Sequence, residues 1–337
     1  MSEASSFWPS LSQPDCNAAD QAVRSALVTS LGAVYAKFSD LTASDDKRLD
    51  YVLRQIERGP VRPAVFGLYT DLVESVLSND PVMRDALSQE LLDLDPSGQG
   101  TRIVSLTDED LGAGQAARYA RLIDDDPERR YSICPMDSGF EKAHSRVSSA
   151  LHLLDQGAPE LAQEIRSLVR EIVLVTDGKG NEQRSFDGAS TFYLWGAVLL
   201  NVGDATRLDL AQQIAHEAAH LLLFGLMMGQ PLTENDLEER HTSPLRQDPR
   251  PMEGVVHAAY VLARMSYALE RLLGSGLLAL AEQEKARLDL ANHRKLFFDT
   301  LPVIMRHARF KPRGAAAFRG AIDYMSQKNE LGQQVSA

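Results

Sequence analysis

The chain has 337 residues, of which 44% are hydrophobic and 24% are charged, and these proportions are typical of a globular protein with a buried core. Its formal net charge of −12 disfavours a nucleic-acid backbone as the partner, because phosphate binding draws on clustered Lys and Arg. No apolar run approaches the roughly 18–20 residues that a membrane span requires. These properties leave a peptide or a small molecule as the expected partner.

The cysteines and the N-terminal residues indicate a cellular compartment. Cys16 and Cys134 are far apart in the sequence and define neither a disulfide framework nor a thiolate metal site, which is typical of a reducing cytoplasm. The first residues, Met-Ser-Glu-Ala-Ser-Ser-Phe-Trp-Pro, lack the basic segment and the apolar run of a signal peptide. We therefore expect a cytoplasmic protein.

The first part of the chain is predicted to be helical, because its apolar residues recur at helical spacing. Four helices are predicted, at 18–41, 45–58, 63–79 and 81–94. The segment 95–100 reads Asp-Pro-Ser-Gly-Gln-Gly, a clear loop and the strongest candidate for an internal boundary.

Signals for β-strands begin after this loop. Short strands are predicted at 102–106, 131–134 and 171–175, and helices at 138–155 and 158–169. The segment 190–201 is also rich in β-forming residues, and a strand there could accept an extended peptide by strand addition or could be an ordinary inner strand. Together these elements predict an α+β fold that is mainly α-helical, with a small mixed sheet.

The strongest chemical signal lies in the next helix, which is predicted to begin near Arg207. Residues 216–220 read His-Glu-Ala-Ala-His, an H-E-x-x-H motif in a run of high helix propensity. Positions i and i+4 of a helix lie about 40° apart around the axis, so His216 and His220 can hold one divalent metal, with Glu217 beside them. The apolar flanks predict a buried helix, in which His and Glu need partners or a metal. The alternative is two histidines on the polar side of a core helix.

A further helix is predicted from Met252 to about Leu273, directly after a Pro-Arg-Pro sequence. It carries Glu253 and His257 at i,i+4 spacing, and either could supply a third metal ligand. A Glu ligand matches a zinc metallopeptidase, in which Glu217 deprotonates water, and equally a two-histidine, one-carboxylate iron oxygenase. A His ligand gives a three-histidine site, which the ligand type alone does not assign to zinc or to iron.

The rest of the chain is predicted to be a polar loop and two helices. Residues 230–246, which include His241, have the composition of a flexible surface loop that could lie over the site. The two helices are predicted from Leu277 to about Asp299 and at 318–328. We therefore divide the chain into an N-terminal helical region at 1–95, a metal-binding core with a zincin-like local arrangement at 101–275, and a C-terminal helical region at 276–337.

Three stretches together resemble the H-E-x-x-H peptide-modification family, which is associated with ribosomally made, post-translationally modified peptides. They are the Gly-Ala-Val-Leu-Leu sequence at 196–200, the motif helix at 216–223, and the sequence from Asp248 to Arg264. The last stretch fits the pattern D-P-R-P-x-x-G-x-x-H-x-x-Y-V, which is more specific than H-E-x-x-H alone. The resemblance covers about residues 138–270.

This resemblance implies a non-haem iron(II)- and 2-oxoglutarate-dependent oxygenase that hydroxylates a side-chain β-carbon of a ribosomally made precursor peptide. It implies His216, His220 and His257 as the metal ligands, with Glu253 as the alternative third ligand. Glu217 would then orient a ligand or a polar group of the substrate. The alternative function is a zinc metallopeptidase that uses Glu217 as its general base.

An oxygenase of this kind needs a partner for the far carboxylate of 2-oxoglutarate. Arginine is suited to this role, because its planar fork matches a carboxylate with two hydrogen bonds. Arg250 and Arg264 are the candidates, since each is seven residues from His257 and hence near its helix face. A structural salt bridge is the alternative role for either arginine.

Overall fold

The computed structural model describes residues 14–38, 43–124, 133–136, 138–177 and 187–335. These residues are mainly helical and include a small mixed sheet, which confirms the predicted α+β class. The helices are α1 Pro14–Phe38, α2 Ala43–Arg58, α3 Pro63–Leu77, α4 Pro81–Asp93, α5 Asp108–Leu111, α6 Gln115–Ile123, α7 Phe140–Gly157, α8 Pro159–Leu168, α9 Arg207–Met227, α10 Met252–Gly274, α11 Leu280–His307 and α12 Pro312–Val335. The strands are β1 Arg102–Ser105, β2 Ile133–Pro135, β3 Glu171–Asp177, β4 Gly188–Ala189, β5 Ala197–Asn201, β6 Arg240–Ser243 and β7 Arg246–Pro251. Residues 39–41 and 131–132, which end one predicted helix and begin one predicted strand, lie outside the described residues.

The chain forms two compact units, and neither is continuous in sequence. The sheet unit consists of Asn17–Ser145 and Arg166–Asp204. The histidine unit consists of Arg146–Ile165, Ala205–Ala337 and the segment that ends at Cys16. This division differs from the predicted regions 1–95, 101–275 and 276–337.

The sheet unit contains a five-stranded sheet in the order β1-β3-β5-β4, with β2 also paired to β3. The strands β1, β3 and β5 are parallel, whereas β2 and β4 pair in antiparallel fashion. Every residue in Ile172–Val175 and Ala197–Leu200 is at most 1% exposed. Both faces of these strands are therefore covered, which explains why the two sequences are continuous apolar runs rather than alternating ones.

The loop at 95–100 is not a boundary between compact units. The backbone N–H of Arg62 donates to the carbonyl oxygen of Pro96 at 3.0 Å, and Gly98 donates to Pro60 at 3.0 Å. A Cβ at Gly98 would lie 2.4 Å from the carbonyl carbon of Val61, so only glycine permits this approach. The loop thus closes against the segment that precedes α3, within the sheet unit.

The histidine unit is built around α9, which begins with a capping box. The Thr206 hydroxyl accepts from the backbone N–H of Asp209 at 3.2 Å, and the Asp209 carboxylate accepts from the backbone N–H of Thr206 at 2.9 Å. This arrangement satisfies N–H groups that a helix start leaves without partners. The helix ends at Met227, and the capping residue Met228 has a φ of 53° in the left-handed region and is followed by Gly229.

The prediction of a flexible loop at 230–246 is wrong in part, because the end of this segment belongs to an antiparallel hairpin. Strands β6 and β7 pair His241 with Arg250, with an irregularity between His241 and Ser243. The beginning of the segment is also fixed, since Leu232 accepts from the backbone N–H of Lys311 at 2.9 Å. This segment is therefore anchored to the start of α12.

The C-terminal helices belong to the histidine unit rather than to a separate region. The Arg207 guanidinium donates to Glu282 of α11 at 2.7 Å, and the Tyr324 hydroxyl of α12 donates to Glu270 of α10 at 2.6 Å. Helix α11 also continues through Pro302, beyond its predicted end. Among the described residues, no helix is both long and apolar enough to cross a membrane.

Candidate metal centre

The two motif histidines face each other on one side of α9. The Nε2 atoms of His216 and His220 are 3.2 Å apart, and the ring centroids are 4.9 Å apart. Two nitrogens bound to one tetrahedral metal at about 2.0–2.1 Å lie about 3.3 Å from each other. The pair therefore has the spacing of two ligands of a single divalent metal.

His216 is in contact with solvent but is surrounded by protein. Its side chain is 39% exposed, yet burial lowers its pKa to about 4, with a smaller contribution from His293. Burial also lowers the pKa of His220 well below its ordinary value, and His216, His257 and Arg250 add to this effect. Both imidazoles are therefore neutral at pH 7, which is the form that binds a metal. The exposed part of His216 leaves the pair accessible from solvent.

Glu217 lies beside this pair but is far less exposed. The residue is 4% exposed, and its Oε1 is 3.8 Å from the Nε2 of His216. Successive residues of a helix are rotated by about 100°, so Glu217 projects to one side of the two histidines. Its carboxylate borders the site, as the sequence predicts, without lying between the rings.

The structure brings His257 of α10 to the other edge of His220. The two Nδ1 atoms are 3.5 Å apart, and the rings stack with centroids at 5.7 Å and an interplanar angle of 20°. The Nε2 of His257 lies 3.1 Å from Glu253 Oε1. A carboxylate on the remote nitrogen of a histidine is the usual support of a metal-binding imidazole, since it fixes the tautomer and the orientation of the ring.

Glu253, the predicted alternative third ligand, lies in this supporting position beside His257. Oε1 accepts from the backbone N–H of Leu232 at 2.8 Å, and Oε2 accepts from the N–H and the hydroxyl of Thr233 at 3.1 and 3.2 Å. Burial by itself raises the pKa of Glu253, but the hydrogen bonds from His257, Leu232 and Thr233 bring it below the ordinary value. The carboxylate is thus held as an anion that fixes His257.

The three histidines form a chain of contacts rather than a converged ligand set. His220 directs Nε2 to His216 and Nδ1 to His257, whereas one metal takes one nitrogen from each ring. In the part of the chain that the structure describes, no three His, Cys, Asp or Glu side chains already meet around one point. The donor chemistry nevertheless fits a divalent metal, because the rings of His216 and His220 are neutral, closely spaced and partly accessible to solvent.

The two candidate arginines have different environments. Arg250 of β7 is half-buried, and its charge helps to lower the pKa of His220, so its guanidinium is within electrostatic reach of the histidines. Arg264 is 1% exposed and forms an ion pair with Glu164, which is 2% exposed. The second arginine is therefore a structural salt bridge and not an anchor for a cosubstrate, which corrects one of the two sequence predictions.

Two further residues of this region were not singled out by the sequence. Met265 of α10 places its sulfur 3.3 Å from the Nδ1 of His216. His293 of α11 acts electrostatically on His216. Neither belongs to a motif, and only the packing of α10 and α11 around α9 brings them to the histidines.

The predicted peptide-binding segment at 190–201 belongs to the sheet unit. Residues Phe192–Leu194 form a short 3₁₀ helix, and β5 then pairs with β3 on one side and with β4 on the other. Residues Leu199 and Leu200 are already paired with β4, so this part of β5 presents no edge for strand addition. The alternative interpretation, an ordinary inner strand, is the one that describes β5.

The comparisons with known proteins assign no family. No protein-family model matches the chain, and no curated protein matches it.

Proposed function

We propose that the chain is a non-haem iron(II)- and 2-oxoglutarate-dependent oxygenase that hydroxylates a side-chain β-carbon of a ribosomally made precursor peptide. The proposal rests on the cluster of His216, His220 and His257, in which Glu253 already supports the third imidazole. Both oxygens of Glu253 already accept hydrogen bonds from backbone N–H groups, and this favours three histidines over two histidines and a carboxylate as the donor set.

Each residue of the cluster has a separate task in this proposal. When bound, iron(II) with 2-oxoglutarate and dioxygen supplies the oxidation that places a hydroxyl group on carbon. His216 and His220 would hold the metal through Nε2, since the 3.2 Å separation of these atoms suits two ligands. His257 would supply its Nδ1 as the third ligand, since Glu253 contacts the opposite nitrogen of the ring.

Arg250 is the residue of choice for the far carboxylate of 2-oxoglutarate. Its charge acts on His220, so a ligand that extended from the metal toward β7 would come within the electrostatic reach of this guanidinium. Guanidinium and carboxylate groups form paired, charge-assisted hydrogen bonds, which fix the orientation of the ligand as well as its affinity. The exposed part of His216 leaves the histidine pair accessible to a substrate from solvent.

Glu217 separates this function from its alternative, a zinc metallopeptidase. Its position 3.8 Å from His216 Nε2 is the observation that favours the peptidase, in which the carboxylate takes a proton from water. In the oxygenase no water needs to be deprotonated, and Glu217 only orients neighbouring groups.

The change Glu217→Gln distinguishes the oxygenase from the peptidase, because the amide preserves the shape of the side chain but cannot take up the proton that a carboxylate accepts. A peptidase should lose about 10²–10⁴-fold in activity while keeping its metal. The oxygenase should keep measurable succinate formation from 2-oxoglutarate, and a peptide product heavier by one oxygen atom. Glu284→Gln, an exposed carboxylate of α11, serves as the matched control and should behave as the parent protein does.

Peptide-bond cleavage by the parent protein would refute the oxygenase if it were abolished in Glu217→Gln and indifferent to 2-oxoglutarate. The metal content of both proteins is measured in parallel. An effect of Glu217→Gln on catalysis is then distinguished from a loss of metal.

A further inference from the structure

Helices α9 and α11 are joined by a row of polar contacts that runs toward the histidine cluster. The contacts follow helical steps of two to four residues on each helix. They are Arg207 with Glu282 at 2.7 Å, Asp209 with Lys285 at 3.1 Å, and Gln212 with Asp289 at 3.0 Å. Because both sets of numbers increase together, the two helices run in the same direction along this row.

The next step of this row places His293 beside His216. His293 follows Asp289 by four residues, and His216 follows Gln212 by four residues, so both lie about one turn further along the same helix faces. Their proximity is also visible in the electrostatics, since His293 contributes to the lowered pKa of His216. His293 is thus a residue of the site, reached from α11 rather than from α9 or α10.

The ring of His293 has a nitrogen for which the described residues provide no partner. Its Nδ1 is buried and makes no hydrogen bond within the described part of the chain. His216, in contrast, has Met265 at Nδ1 and His220 at Nε2, and His257 has Glu253 at Nε2. A buried polar atom without a partner is unfavourable, and a catalytic role or a bound water or ion is among the explanations for such an atom.

The ring of His293 also determines which chemistry it offers. An imidazole nitrogen that carries a proton donates a hydrogen bond. A proton on Nδ1 would therefore be donated to an oxygen atom of a ligand, such as a carboxylate or keto oxygen.

We propose that His293 is a ligand-binding residue of the site, whose Nδ1–H donates a hydrogen bond to the 2-oxo acid group of the cosubstrate on the α11 side of His216. This inference rests on the proposed oxygenase function and extends it. Arg250 and His293 then bind opposite ends of the cosubstrate. The arginine binds the far carboxylate near His220, and the histidine binds the 2-oxo acid end near His216.

Two small molecules separate these roles in a calorimetric titration of cobalt(II)-loaded protein. The probe 2-oxoglutarate has both ends, whereas pyruvate keeps the 2-oxo acid group and lacks the far carboxylate. We expect His293→Ala to weaken both probes about 10- to 100-fold, the effect of one hydrogen bond to a charged group. Arg250→Leu should weaken only 2-oxoglutarate.

Matched variants control for damage to the fold. His293→Asn keeps an N–H close to the position of Nδ1 and should restore most of the affinity, whereas a purely structural role would not be rescued in this way. His152→Ala, an exposed histidine of α7, should bind both probes as the parent does. Cobalt stoichiometry is measured for each variant, and we expect one metal per chain in His293→Ala.

Each possible failure has a distinct outcome. Unchanged affinity of His293→Ala for both probes overturns the role of His293 and leaves the oxygenase intact. Loss of cobalt from His293→Ala makes the residue a metal ligand and also overturns the role proposed here. A parent protein that binds cobalt but neither probe contradicts the oxygenase itself, and the role of His293 fails with it.

Discussion

Removal of the Arg264 side chain tests the difference between a structural ion pair and a cosubstrate anchor. Arg264 of α10 and Glu164 of α8 are both almost fully buried and form an ion pair with each other. Arg264→Leu keeps a side chain of substantial volume but leaves the Glu164 carboxylate without its guanidinium. We expect a large loss of stability and no specific change in the requirement for 2-oxoglutarate.

The size of this loss follows from the burial of both groups. Breaking a buried pair by removal of one partner costs about 3–5 kcal/mol, because it leaves an uncompensated charge. Replacing both partners by apolar residues is often nearly neutral, so Arg264→Leu combined with Glu164→Leu should recover most of the loss. The matched control is Arg271→Leu, one member of a partly exposed pair with Glu160, for which we expect about 0–1 kcal/mol.

The pH dependence gives an independent check on the same pair. Burial raises the pKa of Glu164, and Arg264 works against this rise. Without the arginine, the pKa of Glu164 rises further in the folded protein, so the folded state binds a proton more readily than the unfolded state does. The stability deficit of Arg264→Leu should therefore be largest at neutral pH and should shrink as the pH falls and the carboxyl group takes up a proton.

Urea denaturation, followed by circular dichroism for all four proteins, measures these free energies of unfolding. The titration of 2-oxoglutarate into the folded variants measures whether the requirement for 2-oxoglutarate changes. The reasoning is refuted if Arg264→Leu unfolds at the parent's urea concentration and binds 2-oxoglutarate more weakly, since Arg264 would then be an anchor.

Three other changes test separate parts of the structure. Glu253→Ala should reduce metal affinity about 10–100-fold by releasing the His257 ring, and equilibrium dialysis against cobalt(II) that shows the parent's affinity would contradict this role. Arg250→Leu should weaken 2-oxoglutarate binding about 10–100-fold without loss of metal, as measured by calorimetry, and an unchanged affinity would place the anchor elsewhere. Tyr119→Phe should lower the free energy of unfolding by about 1–2 kcal/mol, because the Tyr119 hydroxyl donates to the buried Glu171 carboxylate at 2.8 Å, and a parent-like urea midpoint would contradict this contribution.

The elements that depend on local pattern were predictable from the sequence. The motif helix begins at Arg207 as predicted, since Thr206 and Asp209 form a capping box with the backbone. The helix with His257 and the apolar strands β3 and β5 were likewise recognised from apolar spacing and composition. The proximity of His216, Glu217 and His220 required only the geometry of one helix.

Properties that depend on packing between distant segments were not predictable in the same way. Helix-face geometry made Arg250 and Arg264 equally good candidates for binding the far carboxylate of 2-oxoglutarate. Only the ion pair between Arg264 and Glu164 distinguishes the two arginines. The supporting role of Glu253 depends on backbone N–H groups of Leu232 and Thr233, about twenty residues upstream. No local signal reports a partner at that distance in sequence.

The compact units of the chain differ from the predicted regions for a related reason. A loop rich in Pro and Gly, such as 95–100, indicates a break in secondary structure and not a break in packing. The backbone of this loop forms hydrogen bonds to residues before α3. The chain passes from one compact unit to the other at 145/146 and returns at 165/166. Such interleaved units have no compositional signature.

The most direct test of the central claim is the iron-dependent conversion of 2-oxoglutarate to succinate. The protein is purified without oxygen, loaded with iron(II) or with zinc, and then exposed to dioxygen and 2-oxoglutarate. We predict succinate with iron and none with zinc, and we predict that His220→Ala abolishes it. Absence of succinate from the iron-loaded protein, together with peptide cleavage by the zinc-loaded protein, would contradict the oxygenase and support the metallopeptidase.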